Sequence, residues 1–431
     1  MSAPTLSRFE IVSTETGYRF TCTQCGVCCS AFTVRLTAER YQRLRDVMRA
    51  NPILGDPDEA LIPFDNPSDD NYAVLKRRHE DDSCYFLRPD NRCAIQVHVG
   101  AEEKPGHCRA FPHFPLRVDD RIMVGVTTTC VGIGRLYRSI AEREPGDPAP
   151  DGPPGTDPEF LVSAALAPET IQLLPGLDIS PGAIEELGCF WRQFLPPLDL
   201  PLPAKLVMAA AAVHGLLDEA RGSRRQRIER EDIRIREGFE QWFHMTRLEA
   251  TLPRREARRL LLGRLIRDFP IQGLAEPAVT YLQHLFDRGD LDAIDESLAS
   301  ASPPVRRHLH AFAADTLWLP QLVVSAGYLA AFHGALAEIA LVELGAAALA
   351  LRGGVQPSHL EDVIRRVGFL RHRVAWVEFW KAQAASSPFL SSEFPITLFA
   401  RRVRENLARG PDTHPVMPDQ DREVYREEPP C

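Results

Sequence analysis

The stretch Phe20-Thr-Cys22-Thr-Gln-Cys25-Gly-Val-Cys28-Cys29 places four thiols in eight residues, with a glycine inside the turn. Two-residue gaps let successive thiolates converge on one point, because a loop with Gly26 in a left-handed conformation can wrap its sulfurs around a metal. Three thiolates at this spacing plus one distant thiolate is a common way to hold an iron–sulfur cubane. A lone tetrahedral zinc more often uses two separate Cys-x2-Cys arms. The array therefore points to an iron–sulfur cluster, of the 4Fe–4S kind, with zinc as the alternative.

Four further cysteines follow in turn-like settings. They are Cys84 in Asp82-Ser-Cys-Tyr-Phe, Cys93 after Pro89-Asp-Asn-Arg, Cys108 after Lys104-Pro-Gly-His, and Cys130. The candidate metal ligands are thus Cys22, Cys25, Cys28, Cys29, Cys84, Cys93, Cys108 and Cys130. Eight thiolates permit two clusters, a cluster plus a zinc, or one cluster with spare thiols. The adjacent Cys28 and Cys29 are expected to point in different directions, serving two sites or leaving one of them packed. Cys189, beside Phe190 and Trp191, reads as a core residue, and Cys431 as a free thiol in the tail.

The rest of the chain divides by composition. Phe9 to about Tyr137 is loop-rich, with β-type runs at Ala31–Leu36 and Arg121–Thr127, and one helix at 37–50 that Thr37 caps. The Pro/Gly-rich run 144–158 is the expected linker. Helical periodicity follows near 158–173, 181–195, 203–221, 227–250, 254–268, 275–287, 303–315, 321–351, 360–385 and 393–409. The expected fold is α+β: a cysteine-rich metal domain over 1–143, a mostly all-α domain over 159–409, and a disordered tail over 410–431.

At 431 residues, 44% hydrophobic and 25% charged, the chain has the composition of a soluble globular protein with more than one core. Its formal charge of -9 argues against nucleic acid as the main partner. The start at Met1 lacks a secretory pattern, and the apolar tract Leu317–Leu351 carries Glu338 and Glu343, which reads as a buried helix rather than a membrane span. The expectation is a cytoplasmic protein, and eight cysteines crowded into its first third then mean metal or redox chemistry.

Together, the run from Phe20 to Cys29, the Cys84 and Cys93 pair with Ile95 behind it, Lys104-Pro-Gly-His-Cys108-Arg-Ala-Phe-Pro112 and Cys130 resemble the YkgJ-type cysteine-cluster family. That family is also described as a zinc- or iron-chelating domain, and all eight of its cysteines have counterparts here. The resemblance spans roughly residues 15 to 135 and implies metal chelation. The two-part layout is also similar to flagellin lysine N-methylases, which implies S-adenosylmethionine as a second cofactor and a peptide substrate.

Other motifs carry less. No choice among Cys22, Cys25, Cys28 and Cys29 gives the Cys-x3-Cys-x2-Cys order of radical S-adenosylmethionine enzymes, and Val131-Gly-Ile-Gly134 lacks the third glycine of a dinucleotide loop. His98, His107 and His113 are spare imidazoles when eight thiols are present. Lys104, Arg109 and Arg117 could offset thiolate charge. The Arg-rich stretch 221–267 alternates with carboxylates as a solvated helix face does, and His333 with Glu338 and Glu343 reads as an interior polar network. Three functions stay open: a cluster-bearing redox or metal module for the helical domain or a protein partner, a protein lysine N-methylase, and a structural zinc domain on a helical scaffold.

Overall fold

The computed structural model describes residues 10–14, 16, 20, 22–69, 71–80, 82–118, 120–142, 170–198, 200–233, 254–288, 291–318, 323–350, 354–372, 374–383 and 399. The expected linker 144–158 and tail 410–431 lie outside them. The fold is α+β, with three small sheets and a predominance of helix from Pro181 onward.

The cysteine-rich part opens with β1 (Glu10–Ser13), α1 (Val27–Ala31), β2 (Arg35–Leu36) and α2 (Ala38–Ala50). Thr37 caps α2 as expected, its hydroxyl accepting from the Arg40 N–H at 3.2 Å, and Tyr41, Leu44 and Met48 form the buried face. Then come α3 (Pro57–Ala60), β3 (Leu61–Pro63), β4 (Ala73–Leu75), α4 (Ala94–His98), α5 (Gly106–Ala110), β5 (His113–Val118), β6 (Arg121–Val126) and α6 (Val131–Glu142). β4 lies between β2 and β3, antiparallel to both. β6 lies between β1, which it pairs in parallel, and β5, antiparallel to it.

The remainder comprises β7 (Ile171–Leu174), β8 (Leu177–Ile179), α7 (Pro181–Phe194), α8 (Leu202–Gly222), β9 (Arg227–Ile228), α9 (Arg254–Asp268), α10 (Glu276–Arg288) and α11 (Asp292–Ala299). It ends with α12 (Pro303–Trp318), α13 (Val323–Ala326), α14 (Tyr328–Ala350), α15 (Pro357–Gly368), a 3-10 turn at Phe369–His372, and α16 (Val374–Gln383). Four expected helices come out differently. In 158–173, Ile171–Leu174 is a strand, because Pro175-Gly176 turns the chain back into β8, with Gly176 at φ 83°. In 227–250, Arg227–Ile228 is a strand beside β8, and 234–250 lie outside the described residues. The run 321–351 is two helices divided at Gly327, whose φ of 83° an L side chain resists and whose Cβ position would fall 2.6 Å from the Gln172 carbonyl oxygen. The run 360–385 is α15 and α16, parted by the 3-10 turn after Gly368. Of 393–409, only Phe399 is described.

Two hydrophobic cores result. The smaller is built on Leu36, Leu44, Met48, Leu61, Leu75, Phe86 and Ile95, all from the cysteine-rich part. The larger holds the helices, and it also takes in Val12, Leu116, Met123, Val126, Ile133 and Tyr137 from β1, β5, β6 and α6. α14 lies at its centre and is buried from Tyr328 to Ala348, with His333, Glu338 and Glu343 inside. That helix has the length and apolarity of a membrane span, and here its surroundings are protein. The His333 Nε2 lies 3.1 Å from the His214 Nε2 on α8, one nitrogen donating to the other.

Candidate metal centre

The thiol-bearing loops meet where the two cores adjoin. Gly26 takes φ 74°, the left-handed turn expected of it, and a Cβ there would press on the Asn91 side chain at 3.0–3.3 Å. Gln24 is left-handed too, at φ 51°, so the run from Cys22 to Gly26 curls tightly before α1 begins. Cys28 and Cys29 occupy the first turn of α1, and their sulfurs stand 4.0 Å apart rather than diverging.

Cys84 and Cys93 flank a tight reversal. Antiparallel bridges pair Arg77 with Cys84 and Leu87 with Cys93, and the Asp90 carboxylate accepts from the Arg92 N–H at 3.1 Å. Asn91 closes the turn at φ 62°. The Cys84 N–H donates to the Cys29 carbonyl at 2.8 Å, joining this reversal to α1. Arg77 strengthens the joint, donating to the carbonyls of Phe32 (2.9 Å) and Ser30 (2.7 Å) and to the Asp82 carboxylate (2.7 Å). Cys108 sits in α5, and Cys130 immediately precedes α6.

Seven of the eight thiols line one cavity of about 280 Å3: Cys22, Cys25, Cys28, Cys29, Cys93, Cys108 and Cys130. Cys84 is buried, 8% exposed, and packs in the smaller core. All eight are free thiols. Among the described residues no three His, Cys, Asp or Glu side chains close on a point as one ion requires. These residues line a space instead. In donor type they fit a thiophilic metal group.

Burial and mutual proximity hold several of these thiols in the protonated form. Cys28 is raised by its contact with Cys29 and then by burial. Cys108 and Cys84 are raised chiefly by burial, and Cys130 is pushed up to about 12 by the same cause. A metal entering here displaces protons. Lys104 lines the cavity, its ammonium donating to Gln96 Oε1 at 3.1 Å, and its charge favours the thiolates of Cys28 and Cys108.

His98 and His113 lie elsewhere. His98 Nε2 meets Arg88 at 3.0 Å, and His113 is buried with its Nδ1 3.2 Å from the Ala110 carbonyl and its ring edge-on to Phe20. Neither faces the cavity, and the His107 side chain lies outside the described set. Arg109 and Arg117 are likewise not among the lining residues, whereas Asn91, Arg92, Gln24 and Gln96 are. Sequence reading passed over those four. The only trace they leave is the turn-forming Pro89-Asp-Asn-Arg run. Cys189 is buried in the larger core, as expected, and is disulfide-bonded. The reading of Cys431 falls outside the described residues. Val131-Gly-Ile-Gly134 opens α6, and its glycines serve packing: a Cβ on Gly132 would approach Phe20 at 3.0 Å, and one on Gly134 would touch Glu361 at 3.5 Å.

Comparison with known families bears directly on this array. Residues 21–131 match the CxxCxxCC family, a "putative zinc- or iron-chelating domain". The CxxCxxCC match takes in all eight candidate cysteines and covers about a quarter of the chain. No curated protein and no solved structure matches the chain at a significant level. Similarity to flagellin lysine N-methylases is therefore not shown.

Proposed function

We propose that the cysteine array holds an iron–sulfur cluster and serves as a redox or metal module for the helical region or for a protein partner. The observation that carries this reading is the cavity of about 280 Å3 ringed by seven thiols. Tetrahedral zinc with bonds of about 2.3 Å draws its four sulfurs to about 3.8 Å from one another and leaves no room between them. A polynuclear group uses space of this kind. The chelating family matched over 21–131 supports the metal and leaves zinc and iron as its two candidates.

This chain's own residues would do three things for such a group. The Cys22–Gly26 loop and Cys28, Cys29, Cys93, Cys108 and Cys130 supply thiolates from several sides. Lys104 places a cation at the wall, which offsets negative charge and favours the reduced state. Cys130 leads straight into α6, which packs on α12 and α15, so the ligand loop is continuous with the helical core. A bound cluster would supply one-electron chemistry or a Lewis-acidic iron.

The test is metal and acid-labile sulfide analysis of anaerobically purified protein, with Cys22→Ser and Cys25→Ser variants beside it. Iron with matching sulfide, diminished in the variants, is the expected result. Zinc without sulfide would overturn the cluster and leave a zinc domain.

A further inference from the structure

Outside the cysteine array, the helical core brings two imidazoles together edge to edge. We propose that His214 on α8 and His333 on α14 form a second metal site, for a borderline divalent cation such as zinc, cobalt or nickel, bound through both Nε2 atoms. The proposal stands apart from the reading of the thiol array and does not depend on it.

The first observation is the geometry of the pair. The two Nε2 atoms lie 3.1 Å apart while the ring centroids lie 5.2 Å apart, so the rings point their nitrogens at one another rather than stacking. A zinc–imidazole bond is about 2.0–2.1 Å long, so a cation equidistant from two such nitrogens would see them roughly 95–100° apart. Opening that to a tetrahedral angle takes only a few tenths of an ångström, about 0.2–0.3 Å between the nitrogens. In the hydrogen-bonded pair one Nε2 donates and the other accepts. Ligation requires the donating ring to carry its proton on Nδ1 instead, which turns both Nε2 lone pairs inward and releases no proton.

The second observation is where the pair stands. His333 is fully buried on α14, with the Phe332 ring beside it at 6.0 Å. Such enclosure disfavours the imidazolium and keeps the neutral form, which is the form that binds metal. His214 is half-buried, so a cation can reach the pair from the α8 side. Both rings are carried by long helices packed into the larger core, which fixes their separation before any ligand arrives.

The third observation sets the kind of site. Among the described residues no third His, Cys, Asp or Glu joins the pair, so the remaining positions around the cation fall to water or an incoming ligand. Asp218 is exposed one turn further along α8, a carboxylate on the same side of that helix as His214. Imidazole donors without a thiolate select zinc, nickel or cobalt over the soft ions that the cysteine array suits.

The experiment is anaerobic cobalt(II) titration of the full-length protein as purified, beside His214→Gln. The unsubstituted protein should bind one cobalt more than the variant, without the thiolate-to-cobalt charge-transfer band that binding at the array produces. In the variant that additional binding should weaken at least about tenfold, the loss that even an outer partner of a ligand causes. Hydrogen–deuterium exchange at imidazole C2, read by mass spectrometry on the unsubstituted protein, should slow at His214 and His333 when cobalt is present. Equal cobalt binding by the two folded proteins, or exchange at both histidines unchanged by cobalt, would overturn the site and leave a structural hydrogen bond. The exchange measurement needs no substitution, so it decides the matter if His214→Gln fails to fold. Failure of the array to hold metal alters the thiolate band alone and leaves the difference between the two proteins as it is.

Discussion

Substituting Gly368 tests whether the helical region sets the position of Cys130. Gly368 is the last residue of α15, and a Cβ added there would lie 2.6 Å from Thr128 Oγ1, 2.9 Å from the Thr129 nitrogen and 3.0 Å from the Thr128 carbonyl carbon. Two of those three atoms are backbone and cannot rotate aside. Overpacking of this kind costs about 1–3 kcal/mol, against which alanine's better helix propensity returns at most ~1 kcal/mol at a helix end. With the full return the net destabilisation of Gly368→Ala is about 0–2 kcal/mol, and its upper end shifts an equilibrium roughly 30-fold. The segment that must yield is Thr128-Thr129, and the next residue is Cys130. Metal affinity should fall by a similar factor, read as faster loss to a competing chelator and a lower urea midpoint. Gly188→Ala is the control, since its Cβ would meet the Trp318 carbonyl at 2.6 Å, within the helical core. It should lower the urea midpoint and leave metal retention alone. Equal metal retention in Gly368→Ala and the unsubstituted protein, despite a lowered midpoint, would refute the idea that α15 positions the ligand loop.

Three further outcomes are expected. His308 is fully buried on α12, both its ring nitrogens lack hydrogen-bond partners, and burial followed by the charge of Arg138 holds its pKa down to about 3. The unfolded chain binds a proton near pH 6.5 and the folded one does not, so stability is complete above that pH and falls as pH drops towards 3, by about 2 kcal/mol at pH 5; His308→Leu should flatten that part of the urea-midpoint profile, and an unchanged slope would count against it. Arg77→Met should remove two hydrogen bonds that join α1 to the Cys84 reversal, and a third to Asp82 within the reversal, and speed metal loss, and Arg77→Lys should restore little, because an ammonium lacks the fork that reaches two carbonyls and a carboxylate; full rescue by lysine would show that charge alone matters. Removing the metal should raise hydrogen exchange across residues 36–99 well above that of α14, because the smaller core then loses its ligand bonds to the larger one; uniform exchange before and after chelation would contradict it.

The clustering of thiols along one cavity was legible in part because four of them lie within eight residues. Two-residue gaps keep these residues within one short loop whatever surrounds them, and Gly26 announces its left-handed turn by being the one residue type that adopts it freely. The helix at 38–50 was legible for the same reason, since its cap and its apolar stripe lie within its own length. What could not be read is non-local. β1 pairs with β6 across more than a hundred residues, Glu10 opposite Arg121, and neither strand carries a mark of the other. The break at Gly327 depends on the carbonyl of Gln172, and the apolar pattern on both sides of it is continuous.

The same non-local pairing explains why the array sits where it does. β6 ends at Val126, three threonines follow, and Cys130 immediately precedes α6, so this thiol is placed by the sheet and helices of the larger core. Cys84 and Cys93 are placed by the smaller core, whose strands β2, β3 and β4 do not pair with that sheet. Between them, Phe32 after α1 stacks on Phe369 of the 3-10 turn at 6.2 Å and packs on Phe111 at 5.3 Å, an apolar joint beside the thiols. The loops that carry the thiols reach the cavity from both sides of that joint. Behind Cys130, α6 packs on α12 and α15, so the loop that carries this thiol is braced by the helical core.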